Sequence, residues 1–203
     1  MGYLAVGAAY LMGSIPFGYI LTRLLRKVDI RSYGSGNIGA TNVLRLMGWR
    51  AALPVFLLDA GKGTAAVLLA RLCSGETIFA LAAALAVLLG HCYPVFLKFR
   101  GGKGAATGVG LLLPLSGAVC AAALLLAAAV IALTRYVSLG SITGALAVPF
   151  LFLLLGYDPL YVAFGAAMAL LVIFRHRDNI GRLIRGTESR LGQRINLNGK
   201  EKR

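Results

Sequence analysis

The charges in this chain lie so far apart that the intervals between them are themselves the length of membrane crossings. Residues 1–22, 77–97, 104–134 and 136–157 carry none, residues 51–70 carry only Asp59 and Lys62, and a shorter uncharged run covers 159–174. A helix needs roughly 20 mainly apolar residues to cross a hydrocarbon core of about 30 Å. Composition agrees, since 59% of the 203 residues are hydrophobic and only 14% are charged, more apolar surface than a soluble domain of this size can bury. The expected fold class is an all-α integral membrane protein, one polytopic helical bundle.

The 21 Lys and Arg against 7 Asp and Glu give a formal charge of +14. In a soluble protein that would suggest nucleic acid; here basic residues gather in cytoplasmic loops and meet anionic lipid, so membrane lipid is the expected partner and nucleic acid is not. Arg23, Arg26, Lys27 and Arg31 directly follow the first apolar run, which places the N-terminus outside and the loop of about 24–50 in the cytoplasm. The chain returns outward near Arg71–Glu76 and re-enters at Lys98, Arg100 and Lys103, and nine basic residues lie from Arg175 onward. An even number of crossings therefore separates Lys103 from Arg175. Four crossings put Arg135 inside and break the long run at Pro114–Gly117, giving seven transmembrane helices with the fourth short and the C-terminus cytoplasmic. The alternative is five spans plus re-entrant segments. Residues 1–190 read as one core and 191–203 as a basic cytoplasmic tail. Cys73, Cys92 and Cys120 lack metal spacing and read as packing residues; no metal or cofactor is expected.

The chemistry should sit in three loops whose composition departs from the helices. In residues 29–45, Gly34, Gly36 and Gly39 let backbone N–H groups surround an anion, Ser35, Asn37, Thr41 and Asn42 offer neutral donors, and Arg45 supplies a bidentate cation. The Gly34, Gly36, Gly39 spacing matches a dinucleotide fingerprint only formally, because no strand precedes it and no βαβ unit follows. In the second loop, Gly101, Gly102, Lys103 and Gly104 open into an apolar run. A helix starting near Gly104 would aim free N–H groups and its positive dipole end at whatever Lys103 binds, which suits phosphate. It is not a Walker A loop, since Gly104 stands where Ser or Thr should follow the lysine. In the third, His176 and Asn179 share a helix face in a basic field, and His176 can exchange protons near neutral pH. Ser141, with Ser138 behind it, adds a hydroxyl or caps the helix that follows Arg135. Asp59 and Lys62 lie inside the second span, where they must pair or face a polar pocket. His91 at a span end reads as a packing residue or a catalyst.

These loops resemble those of the bacterial acyl-phosphate:glycerol-3-phosphate acyltransferases, the PlsY type. The likeness covers Gly13-Ser14-Ile15-Pro16-Phe17-Gly18, the Gly34–Arg45 segment, Leu58-Asp59-Ala60-Gly61-Lys62-Gly63, Gly90-His91 with Pro94, Phe99 with Gly101-Gly102-Lys103-Gly104, and Arg177 with Asn179-Ile180 and Arg182-Leu183. It extends over about residues 10–190. The resemblance implies transfer of a fatty acyl group from acyl phosphate to glycerol-3-phosphate at the cytoplasmic face of the bacterial inner membrane, giving lysophosphatidate and inorganic phosphate. It also implies phosphate handling by Ser35, Arg45, Lys103, Ser141, His176 and Asn179, with Thr41 and the glycine-rich first loop nearby. Neither histidine has an Asp five positions later, as the acyl-CoA-dependent class does, because Phe96 and Gly181 stand there.

Acyl phosphate is already activated, so positioning and charge neutralisation suffice without a covalent intermediate. Lys103, Arg45 and His176 are the expected catalytic groups, with the hydroxyl proton passing to His176 or to a substrate phosphate. A small anion transporter is the rival class; it should show repeat symmetry and a midplane site, and the anion-suited loops here belong to one face.

Overall fold

The structure, a computed structural model, describes residues 1–195 and 201–202. Ten α-helices lie within them: α1 (Gly2–Gly13), α2 (Phe17–Arg26), α3 (Ala40–Met47), α4 (Trp49–Ser74), α5 (Thr77–Cys92), α6 (Ala105–Leu115), α7 (Gly117–Thr134), α8 (Val137–Leu154), α9 (Pro159–Arg175) and α10 (Arg177–Ile184). Short 3₁₀ turns occupy Ile30–Ser32 and Val95–Leu97. Two-residue strands, Arg194–Ile195 and Glu201–Lys202, pair antiparallel. The rest of the expected basic tail, residues 196–200 and 203, lies outside the described residues.

Five helical stretches are long and apolar enough to cross a bilayer: Gly2–Arg26, Trp49–Ser74, Thr77–Leu97, Gly117–Thr134 and Val137–Leu154. Pro159–Arg175 followed by Arg177–Ile184, bent by 60°, makes a sixth if the pair counts as one span. The apolar α6 has only 11 residues, roughly 16 Å of helix. The long run expected to break at Pro114–Gly117 does so at Ser116, whose hydroxyl accepts from the Val119 N–H at 3.2 Å and caps α7. Asp158 caps α9 in the same manner, accepting from Leu160 at 2.8 Å with Pro159 in the first turn. The first span is interrupted by Pro16, which lacks an N–H and cannot continue α1.

Small residues bring the helices together, as expected where no hydrophobic effect drives one apolar helix onto another. Ala5, Ala9 and Gly13 of α1 meet Ala80, Ala84 and Val87 of α5 in the main core. α4 and α6 are closer still: the Thr64 hydroxyl donates to the Gly110 carbonyl at 2.7 Å, and a Cβ on Gly110 would strike the Ala60 backbone. Gly110→Val should therefore destabilise the protein by about 3 kcal/mol, read as a lower thermal-unfolding midpoint in detergent. Gly117→Ala, where a Cβ meets nothing within 4 Å, should not lower it. Large apolar side chains such as Leu72, Leu125, Leu133 and Leu154 point outward and stay exposed, the surface a lipid-facing bundle needs. A second, smaller core of Ile30, Ile38, Val43, Val55 and Leu97 sits under the loop that carries α3.

Candidate active site

The loop between α2 and α3 is organised by one buried side chain. Asn42, 2% exposed, donates from its amide to the carbonyls of Tyr33 and Asn37, both at 2.9 Å, and of Ile30 at 3.3 Å, while its oxygen accepts from the Ser35 N–H at 3.2 Å. Asn37 accepts from the Gly39 N–H at 2.8 Å, and the Gly36 N–H donates to the Tyr33 carbonyl at 3.0 Å. The N–H groups of Ser35, Gly36 and Gly39 thus bond within the loop, and Gly36, with φ of 69°, serves the turn. Asn37 both stabilises the loop and lines the cavity described next. What the loop turns toward the interior is side-chain chemistry: Ser35, Thr41 and Arg45 line one cavity of about 290 Å³. Arg45 also donates to the Ser189 carbonyl at 3.3 Å, tying α3 to the C-terminal segment.

Lys103 reaches the same cavity from the turn before α6. Gly104, with φ of 86°, precedes α6 and lets the helix begin abruptly. Gly101 and Gly102 shape the turn without lining the cavity: the Gly102 N–H donates to the His91 carbonyl at 2.9 Å, and the Gly102 and Gly101 carbonyls accept from Arg175 at 3.0 and 3.1 Å. Burial pushes the Lys103 ammonium down to about 8, helped by Arg182 and Arg45 and opposed by Glu188 and Asp178. A cation required for substrate capture is lost as pH rises through that value. kcat/KM, which reports groups of the free enzyme, should accordingly fall above about pH 8, and a pH–rate profile checks it; Lys103→Arg should remove that limb because guanidinium stays charged.

The bend between α9 and α10 supplies the third wall. His176, just past the end of α9, places Nδ1 2.8 Å from the Val172 carbonyl. A carbonyl only accepts, so Nδ1 carries the proton and Nε2 keeps its lone pair. Burial, with Lys103 close by, pushes His176 down to about 4, so the ring is neutral at physiological pH and a poor base there. With Nδ1 occupied by Val172, the Nε2 lone pair is suited to accept a hydrogen bond. Asn179, three residues on, turns its Oδ1 to Lys103 and its Nδ2 to Glu188 Oε1 at 2.6 Å.

Glu188 was legible only as part of a charged run. It is 6% exposed, and its carboxylate accepts from Ser138 at 2.7 Å, Asn179 at 2.6 Å and Arg182 Nε at 2.7 Å. Burial alone would raise its pKa, but these three donors outweigh it and hold the carboxylate below the usual range. It is a buried acid near Lys103 and Arg182, and it fixes which way the Asn179 amide faces. Ser141 lines the cavity with its hydroxyl donating to the Val137 carbonyl at 2.9 Å, leaving its lone pairs available, and does not cap α8. The signal that could have found Glu188 is an acidic residue seven positions after Gly181 in a stretch otherwise full of arginine.

From this polar end the cavity continues between α6, α7, α8 and α9 along an apolar wall that includes Leu112, Ala123, Ile131, Val148 and Met168. Three loops far apart in sequence thus meet around one chamber, cationic at one end and greasy at the other. Such a chamber can hold an amphiphile with its phosphate at the loops and its tail among the helices.

Residues 3–186 match the family model for glycerol-3-phosphate acyltransferase. A glycerol-3-phosphate acyltransferase from Thermoanaerobacter pseudethanolicus is 51% identical over 93% of this chain and 95% of its own; one from Thermus thermophilus is also 51% identical, over 92% and 93%. Among solved structures, the glycerol 3-phosphate form of PlsY (YgiH), an integral membrane glycerol 3-phosphate acyltransferase, superposes with a TM-score of 0.90 at 40% identity, covering 94% of this chain and 96% of that one. The lysophosphatidic acid form of PlsY gives 0.87 at 38% identity over 94% and 95%.

Proposed function

Since the chain belongs to the glycerol-3-phosphate acyltransferase family, we propose that it transfers a fatty acyl group from acyl phosphate to the sn-1 hydroxyl of glycerol-3-phosphate. It is an integral membrane enzyme that makes lysophosphatidic acid. The observation that carries the donor and the residue roles is the chamber itself, where Arg45 and Lys103 converge with Ser35, Thr41, Ser141 and Asn179 at the mouth of an apolar groove. Two phosphorylated substrates need that density of cations and neutral donors.

In the reaction, the glycerol hydroxyl oxygen attacks the acyl carbonyl carbon, the bond from that carbon to the phosphate oxygen breaks, and ester and inorganic phosphate leave. Lys103 and Arg45 hold the phosphates and neutralise charge that grows on the leaving group. The hydroxyl proton has two candidate acceptors. Burial disfavours protonation of the His176 ring, which favours a substrate phosphate oxygen as the acceptor, and the proton ends on the released phosphate. His176 Nε2 accepts a hydrogen bond from the hydroxyl and aims it. Asn179 keeps Lys103 in place.

We infer a seven-crossing topology, which the meeting of the loops at one end supports. Residues 35–45, 103–104, 137–141 and 176–188 share the chamber, so each intervening helix pair goes out and returns. The broken α1–α2 unit, α4, α5, α6, α7, α8 and α9 make seven crossings, with α6 a short one completed by the bundle around it. Basic residues at the loop end favour the cytoplasm of a bacterium for that end and the far side of its inner membrane for the N-terminus.

Detergent-purified protein should release inorganic phosphate from acyl phosphate only when glycerol-3-phosphate is added, with one lysophosphatidate formed per phosphate. Equal product from acyl-CoA, or phosphate release independent of glycerol-3-phosphate, would overturn the donor assignment.

A further inference from the structure

One buried polar cluster lies beside the group formed by Arg45, Lys103, His176 and Asn179. Asp59, Lys62 and His91 are 2%, 6% and 4% exposed, within the membrane-spanning lengths of α4 and α5. Ionisable groups at that depth are costly and persist where they pair or perform a task. Lys62 is accounted for locally: its Nζ lies 2.8 Å from Asp59 Oδ1 and donates at 2.9 Å to the carbonyl of Ile15, at the break between α1 and α2. An ion pair that pins a broken helix would need nothing more.

His91 is not explained by that pair. Its Nδ1 lies 3.5 Å from the same Asp59 oxygen and has no hydrogen-bond partner among the described residues. The opposite edge of the ring presses on Gly102, where any Cβ would collide with Nε2. The His91 carbonyl also accepts the Gly102 N–H at 2.9 Å. From the other side Arg175 donates to the Gly101 and Gly102 carbonyls while its guanidinium packs 4.9 Å from the centre of the Tyr93 ring. The two residues before Lys103 are thus gripped between His91 and Arg175, and the imidazole turns its Nδ1 edge to Asp59 Oδ1 at 3.5 Å. Both Asp59 and His91 also line the chamber.

We propose that Asp59 is a positioning residue for the phosphate clamp: through His91 it fixes the Gly101–Gly102 turn, and thereby the point at which Lys103 meets substrate phosphate. This rests on Lys103 being a phosphate ligand. A buried carboxylate orienting an imidazole is the arrangement by which second-layer groups set ligands, and small displacements of such a ligand have large kinetic consequences.

The test compares the double variant Asp59→Asn with Lys62→Met, which neutralises the ion pair at nearly constant volume, His91→Gln, and Lys103→Met, all purified and checked for an unchanged unfolding midpoint. Tethering predicts that KM for glycerol-3-phosphate or acyl phosphate rises about tenfold in the double variant and in His91→Gln, because a displaced clamp loses binding common to ground and transition states. A purely structural role lowers the folded fraction and apparent kcat and leaves KM unchanged. If KM of both substrates stays within about twofold in the folded variants while Lys103→Met is impaired, the tether is wrong and the clamp stands. If Lys103→Met is itself unimpaired, the clamp fails and the tether with it. Failure of both the double variant and His91→Gln to fold would assign the cluster to the fold alone and overturn the proposal.

Discussion

Lys103→Met should lower kcat/KM by about 10²- to 10³-fold, the usual cost of removing a preorganised charge from a developing anion, without lowering the unfolding midpoint. The two halves of that result have one cause. Lys103 is buried beside Arg45 and Arg182, and its lowered pKa records how little the fold favours an ammonium there. Methionine fills the same space with no charge to desolvate, so the empty enzyme should be as stable or more so. The proposed function supplies a reason for the lysine, because a bound phosphate would add counter-charge beyond that of Glu188 and Asp178. Turnover and thermal unfolding measured on the same preparation check this; activity within about tenfold of the unaltered protein would remove Lys103 from the clamp.

Glu188→Ala should have the opposite stability signature. It strips the acceptor from Asn179 and Ser138 and the partner from Arg182, leaving two buried neutral donors unpaired while Arg182, 30% exposed, turns to water. Buried donors left without acceptors cost about 1–3 kcal/mol each before relaxation, so a loss of about 2–4 kcal/mol is expected. Activity should fall with it, because Asn179 no longer has a reason to face its oxygen toward Lys103. Glu188→Gln, which keeps an acceptor oxygen, should recover part of the stability. An unchanged midpoint for Glu188→Ala would mean that the segment after α10 does not secure the site. Lys103→Met and Glu188→Ala together separate a residue that costs stability for chemistry from one that supplies stability to the chemistry's frame.

Much of the bundle was readable before any coordinates. Uncharged runs of bilayer length mark α1–α2, α4, α5, α7 and α8 directly, because hydrocarbon thickness sets a minimum length that few other constraints mimic. α6 resisted such reading. Its 11 residues are too few for the length rule, and only Pro114, Ser116 and Gly117 hinted that a second helix follows. Gly101 and Gly102 read as anion-cradling backbone from their spacing, yet His91 takes the Gly102 N–H and Arg175 binds the carbonyls of both. Asn42 read as a donor to substrate, yet its amide is consumed by the loop that carries it. In both cases the residue type signalled polar chemistry in a loop, and the partner was a matter of which backbone groups lay nearby.

Sequence by itself determined the solvent and suggested the ligand class: charge-free lengths demand a bilayer, and Ser35, Thr41, Arg45, Lys103, His176 and Asn179 between them suit an anion. Such properties belong to residues and their local spacing, so no fold is needed to state them. Tertiary structure alone decided that the three loops share one chamber, that Glu188 turns Asn179 toward Lys103, and that Asp59 reaches the Lys103 turn through His91. Those are distances between helices far apart in the chain, set by how closely Gly13, Gly63 and Gly110 let backbones approach, and close packing of that kind is a property of the whole bundle.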